Sequence, residues 1–292
     1  MRSTFIKWLI AIVIFAMLII GVFVFIGSQK QVKSKSVPNS NFIPVYKIIG
    51  LSAEKRKIES YSYGNGEKKI VFVGGIHGGY EWNSALLAYQ FMDYLDKNSE
   101  IIPKNLTVTV IPDANPDGVY AVTGKVGRFD ITDVSTSTKI LESGRFNSNK
   151  VDLNRNFDCK WQPKSAWQSK TVSAGSAAFS EPETLAIKIF ILENNPSAVI
   201  FWHSKSNAVY ASECENGVLP ETLNIMNIYS KGSGYPAIKS FGAYAVTGDA
   251  EGWLASINIP AITVELKTHD AIEWQQNLAG IKALFEYYSQ KN

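Results

Sequence analysis

The stretch IVFVGGIHGGYEWNS, residues 70–84, runs from a β-branched apolar segment into a histidine held between two glycine pairs, with a glutamate four residues after it. The apolar run reads as a buried strand, the glycines as a tight turn, and residues 81–96 as the helix that follows. Three other short runs repeat the strand pattern: LTVTVIP (106–112), AVIFWHS (198–204) and AITVEL (261–266). Helical periodicity occupies 180–195, where Ser180 and Glu183 have the spacing of a capping box, and 270–289. Strands that alternate with helices predict an α/β domain whose sheet is covered on both faces. In such sheets function gathers beyond the carboxyl ends of the strands, and His77, His203 and Glu265 all stand at or near such ends. Residues 124–178, rich in Ser, Thr, Lys and Asn, read as long loops, and the chain has no internal repeat.

The 292 residues divide by composition. Residues 8–26, WLIAIVIFAMLIIGVFVFI, contain no charge, and this length nearly reaches the about 20 residues that span a bilayer. Residues 1–27 are therefore expected to form a transmembrane anchor. A cleaved signal peptide is the alternative, though the apolar stretch is long for one and no clear A-x-A site follows. Residues 28–41 read as a polar tether and 42–292 as the folded domain, expected outside the cytoplasm. Five of the 29 cations lie in residues 1–35, which hold no acid, so the remainder carries 24 cations against 26 acids. That near-neutral domain shows no basic stripe, which argues against a nucleic-acid partner. Cys159 and Cys214 are the only cysteines; an exported domain permits a bridge between them, and two buried thiols are the alternative.

A catalytic zinc site takes three protein ligands, commonly imidazoles and a carboxylate, and keeps one position open. His77 and Glu81 form a close pair, because Gly78 and Gly79 let the backbone turn, and His203 is the candidate distant ligand. The competing readings are a hydrogen-bonded structural histidine and a first-turn glutamate favoured by the helix dipole.

With VDLNRNF (151–157), the set resembles the zinc carboxypeptidases, the family of carboxypeptidase A. The resemblance runs in order through GGIHGGYEW, NPDGVY (115–120), GRFNSNKVDLNRNF (144–157), FWHS (201–204) and TVEL (263–266). It implies a mixed, mostly parallel sheet of about eight strands with helices on both faces. It also implies one zinc held by His77, Glu81 and His203, with Glu265 as general base. By the same resemblance, Arg145 stabilises the oxyanion, with Arg128 a weaker rival, and Asn154 and Arg155 grip a substrate carboxylate. Asp152 orients His77, and Tyr244 is the substrate-capping phenol. Each role suits its residue: a planar, permanently charged guanidinium pairs with carboxylates, and a carboxylate behind a ligating imidazole fixes its tautomer. The family pattern has two residues between the histidine and the glutamate where HGGYE has three, so Glu81 needs a longer turn.

The expected activity is that of a metallocarboxypeptidase acting on a peptide or peptidoglycan stem with a free carboxylate, as a monomer tethered to the membrane. A zinc amidase or cell-wall peptide hydrolase of the same fold, and a catalytically silent peptide-binding domain, are the alternatives. A serine hydrolase would need a G-x-S-x-G elbow, which the sequence lacks. A phosphate loop is equally unsupported, since no G-K-[ST] follows the glycines. Asp249 in TGDAEGW could meet a basic side chain or the amine of diaminopimelate, with a turn aspartate as the plainer reading. His269 reads as a surface or loop residue rather than a ligand.

Overall fold

The computed structural model describes Trp8 and residues 43–291. The predicted anchor and tether lie outside the described residues, apart from Trp8. Among the described residues, no helix is long and apolar enough to cross a membrane.

Eight strands form one sheet. They are β1 (Val45–Leu51), β2 (Lys57–Gly64), β3 (Lys68–Val73), β4 (Leu106–Ile111), β7 (Ala198–Ser204), β8 (Ala208–Ala211), β9 (Ala237–Ile238) and β10 (Ala261–Leu266), while β5 (Lys164–Trp167) and β6 (Lys170–Ser173) make a separate hairpin. The order is β1-β2-β4-β3-β7-β10-β8-β9. The four central strands β4, β3, β7 and β10 run parallel, while β1, β2 and β8 join antiparallel. The mixed sheet expected from the resemblance is therefore present, with its parallel part confined mainly to the centre.

The helices are α1 (Trp82–Lys97), α2 (Pro116–Thr123), α3 (Thr138–Ser143), α4 (Pro182–Asn194), α5 (Pro220–Ser233), α6 (Ala250–Ser256) and α7 (Trp274–Gln290). The proposed capping box does not form. Glu181 is the N-cap of α4, Ser180 Oγ turns to the Glu181 carboxylate, and Glu183 accepts from Ala53 N and Asn147 Nδ2. Buried polar partners took the glutamate that the cap needed. The loop region 124–178 is interrupted by α3 and the β5–β6 hairpin, short elements without strong periodicity.

Alternating side chains divide the core into two layers. Ile70, Phe72, Ile200 and Trp202 pack with α1, α5 and α7 in one cluster, while Val71, Val73, Val199 and Phe201 pack with α4, α6 and the segment Leu153–Phe157 in the other. This parity decides which way the strand-end side chains go. His203 continues the Val199–Phe201 series towards α6, whereas Ser204 continues the Ile200–Trp202 series towards α1.

Candidate metal centre and substrate cleft

β3 ends at Val73, and the chain turns through Gly74–Ile76 to His77. Residues Gly78–Glu81 then form a 3₁₀ turn that delivers Glu81 to the start of α1. Gly78 has φ +47, and a Cβ there would lie 2.4 Å from the Gly144 carbonyl oxygen. Only glycine accommodates both the left-handed backbone and that approach. The three-residue spacing is thus met by the longer turn it required. His203, at the end of β7, pairs in register with Glu265 on β10.

His77, Glu81 and His203 are all buried, and one ligand atom from each falls within 4.8 Å of the others. Arg145 Nη2 donates to His77 Nε2 at 3.1 Å, so that nitrogen carries the lone pair. The other ring nitrogen, Nδ1, lies 3.3 Å from Asp152 Oδ1 but out of line for a hydrogen bond, which leaves both atoms buried without one. Burial and the Arg145 charge lower His77 to about 4, so the imidazole is neutral, the form a metal ligand requires. Burial opposes ionisation of Glu81, yet His77, His203 and Arg145 outweigh it and hold that carboxyl at about 2.

His203 Nδ1 faces Glu81 Oε2 at 3.2 Å, and Nε2 faces Glu251 Oε1 at 3.0 Å. Burial works against its cationic form, but the two carboxylates raise its pKa well above the ordinary value. The proton shared with Glu81 is the one that a ligating His203 gives up. Two imidazoles and a carboxylate, buried and converging, fit a divalent zinc ion.

Glu265 lies beside this group and accepts from Ser206 N at 3.1 Å. Burial, then the charge of Glu81, raises its pKa to about 7. Arg145 is buried against Trp167, with Nε donating to Asp152 Oδ2 at 2.8 Å and Nη1 3.6 Å from Glu81 Oε1. Arg128 is elsewhere: it pairs with Asp93 on the surface.

A cavity of about 500 Å³ opens over the centre, lined by His77, Glu81, His203 and Glu265 together with Arg145, Asn154, Arg155 and Tyr244. Asn154 and Arg155 are buried in the 3₁₀ turn Leu153–Arg155. Asn154 Oδ1 accepts from Ala250 N at 2.8 Å, and Arg155 Nε donates to Ala166 O at 3.1 Å. Among the described residues, no carboxylate pairs with Arg155, so a buried guanidinium is left facing an open cavity. The Tyr244 ring packs at 5.0 Å against Phe241.

The Cys159–Cys214 disulfide is formed and lines the same cavity, tying the chain just after the Asn154–Arg155 motif to the loop after β8. Asp249 is the N-cap of α6, accepting from Gly252 N at 2.7 Å, while also lining the cavity.

Sequence reading missed Glu251, two residues beyond Asp249. Its signal, a carboxylate fourteen residues before Glu265, lacks meaning until α6 folds over the strand ends. His269 lies in a loop, as expected, and outside the three-ligand group, but it lines the cavity rather than bulk surface.

The family model for zinc carboxypeptidase matches residues 38–272. This chain belongs to the zinc carboxypeptidase family. Among the described residues, His77, Glu81 and His203 are the group that could hold the metal of such a family. Gamma-D-glutamyl-L-diamino acid endopeptidase 1 of Lysinibacillus sphaericus is 26% identical over 238 residues, covering 75% of this chain and 59% of that protein. Carboxypeptidase O of Bos taurus is 28% identical over 254 residues, covering 75% of this chain and 64% of that protein. The chain therefore spans about three fifths of the length of the curated relatives it matches. Among solved structures, murein-tripeptide amidase MpaA from Escherichia coli O157 superposes with TM-score 0.62 at 20% identity, covering 84% of this chain and 93% of that one. Carboxypeptidase A from Helicoverpa armigera gives TM-score 0.60 at 20% identity, with 85% and 68% covered. These structures share the fold.

Proposed function

We propose that this zinc carboxypeptidase-family enzyme releases a residue bearing a free carboxylate from the end of a peptide. The observation that carries the reading is Arg155: a buried guanidinium beside Asn154, without an acidic partner among the described residues, opening into the cavity over the zinc site. Desolvated and preset, it offers a bidentate seat for a carboxylate.

Zinc, when bound, polarises the scissile carbonyl and acidifies water. The rest falls to the chain. Glu265 takes the proton of the attacking water and returns it to the departing amine, a task for a carboxylate poised near neutrality. Arg145 presents a fixed cation where negative charge develops on the carbonyl oxygen, held in place by Asp152. Asp152 also faces His77 Nδ1 and keeps the ring oriented. Tyr244 closes over the bound residue from the loop that carries Phe241.

A cell-wall stem peptide is the second reading, favoured by one feature of the cleft. Asp249 lines the cavity close to the carboxylate seat, where its own carboxyl suits the side-chain amine of a diamino acid. The similarity to an endopeptidase named for a γ-D-glutamyl-L-diamino acid bond supports the same chemistry. The uncharged run 8–26 and the Cys159–Cys214 bridge support an anchored enzyme in an oxidising, extracytoplasmic setting.

The test is hydrolysis of N-acylated dipeptides ending in Phe, Lys or Glu, each as free acid and as carboxamide. Cleavage confined to the free acids is expected. Equal cleavage of the carboxamides would remove the role of Arg155.

A further inference from the structure

Across the sheet from Asn154 and Arg155, a second polar cluster faces the cleft. Asn83, in the first turn of α1, donates both amide hydrogens, to Thr268 O at 2.7 Å and Ala271 O at 2.8 Å. Its Oδ1 is thereby fixed as the acceptor, and Ser204 Oγ donates to it at 2.9 Å. A serine hydroxyl has one hydrogen. Ser204 Oγ can then only accept from His269 Nδ1, 2.7 Å away, which places the proton of a neutral ring on Nδ1. His269 Nε2 makes no hydrogen bond to any described residue, and the ring, held by Tyr80 at 4.7 Å between centroids, lines the cavity.

Lys205 follows Ser204, lines the same cavity, and has no ion-pair partner among the described residues. Burial disfavours the cationic form of the His269 ring, the Glu81 charge favours it, and the Lys205 charge opposes it. The acidic neighbour Asp270 is exposed and does not line the cavity. A half-buried imidazole with a preset tautomer and an unpaired ammonium thus share one wall.

The position of that wall relates to the reaction. Asn154 reaches His203 through Glu251, and Ser204 N donates to Glu81, which also faces His203, so His203 and Glu81 lie between Asn154 and Ser204 in one chain of hydrogen bonds. A substrate whose terminal carboxylate sits on Arg155 must carry its acyl portion towards His269 and Lys205.

We infer that His269 and Lys205 form an acyl-side subsite for a residue bearing a free carboxylate. This deepens the function proposed above and rests on its placement of the leaving residue at Arg155. A γ-linked glutamyl residue supplies such a group as its α-carboxylate, and an α-linked glutamyl residue supplies it as its side chain. Lys205 provides the charge, and the His269 ring, fixed by Ser204 and Tyr80, packs beside it as the other side of the subsite wall.

The experiment uses the full zinc-loaded chain and four N-acylated dipeptides ending in lysine. The penultimate residue is γ-linked glutamate, its α-carboxamide, α-linked glutamate or glutamine. The expected result is at least a tenfold higher kcat/KM for the carboxylate than for the amide in one linkage, and that linkage identifies the source of the carboxylate. Lys205→Met should reduce the ratio towards one, chiefly through KM. Lys205→Glu should invert it, and His269→Gln should reduce it in part. Equal rates for acid and amide in both linkages would overturn the subsite and leave the carboxypeptidase reading standing. A ratio unmoved by the Lys205 variants would also overturn it. No turnover of any free-acid peptide, including those ending in Phe or Glu, would overturn both.

Discussion

Glu251 holds His203 and Asn154 with the two oxygens of one carboxylate. Oε1 lies 3.0 Å from His203 Nε2 and also accepts from Thr263 Oγ1 at 3.0 Å, while Oε2 accepts from Asn154 Nδ2 at 3.3 Å. A candidate zinc ligand and a proposed carboxylate-binding residue are therefore positioned by the same group, itself delivered by the first turn of α6.

Replacing Glu251 by Gln keeps the shape and removes the charge that favours the Nε2 proton of His203. Loss of such a partner typically weakens metal affinity about 10- to 100-fold. Zinc affinity, measured by competition with a fluorescent chelator, should fall within that range. KM for free-acid peptides should rise as Asn154 loses its anchor. Unchanged zinc affinity would mean that His203 is oriented by β7 alone.

Activity should follow the protonation of Glu265. Burial and Glu81 raise this carboxyl to about 7 in the metal-free site, and the base must be ionised to accept a proton. kcat/KM should therefore fall as pH drops through the pKa. Bound zinc, a nearby cation, moves the fall below 7 by favouring the carboxylate. A pH profile from about 5 to about 9 reads this directly, and Glu265→Gln should lose about 10²- to 10⁴-fold in kcat and abolish the acidic limb. An acidic limb that survives in the Gln variant would assign it to another group.

The disulfide contributes stability in addition to its place in the cleft. Cys159 and Cys214 are separated by 55 residues, and closing a loop of that size stabilises the fold by about 4 kcal/mol in the chain-entropy treatment. The double Cys→Ser variant should lose about 2 to 4 kcal/mol in denaturant unfolding. KM should rise more than zinc affinity falls, because the bridge borders the Asn154–Arg155 segment and not the ligands. Two reactive thiols in unreduced, unfolded protein from its native compartment would remove the bridge from the account.

The central strands were legible because burial on both faces leaves a continuous apolar run, and Ala198–Ser204 and Ala261–Leu266 have the bounds their sequences suggest. The edge strands were not. β1 is largely exposed and mixed in polarity, and β9 is two residues long, so neither produces a period. The convergence of His77, Glu81 and His203 was legible because they follow strand ends in a recognisable order. Glu251 and the cavity-lining position of His269 escaped for a different reason. Their roles depend on hydrogen bonds to residues far away in the chain, Glu251 to His203 and His269 to Ser204, and no local pattern encodes such partners.

The longer turn between His77 and Glu81 makes its own demand on residue 78. With φ +47, an alanine there would incur the left-handed penalty of roughly 1–2 kcal/mol. Its Cβ would also meet the Gly144 oxygen at 2.4 Å and Gly118 Cα at 2.8 Å, both backbone atoms that cannot rotate away. Gly124 separates the two effects, because it has φ +66 and nothing within 4 Å of a built Cβ. Gly124→Ala should show the conformational penalty alone, with zinc bound normally. Gly78→Ala should be destabilised further and should lose zinc, since relieving the clash displaces Glu81 relative to His77. Measuring unfolding midpoints and zinc stoichiometry on both variants decides the matter. If Gly78→Ala matched Gly124→Ala in both, the turn would tolerate a side chain, and the glycine would not be what brings Glu81 to the metal.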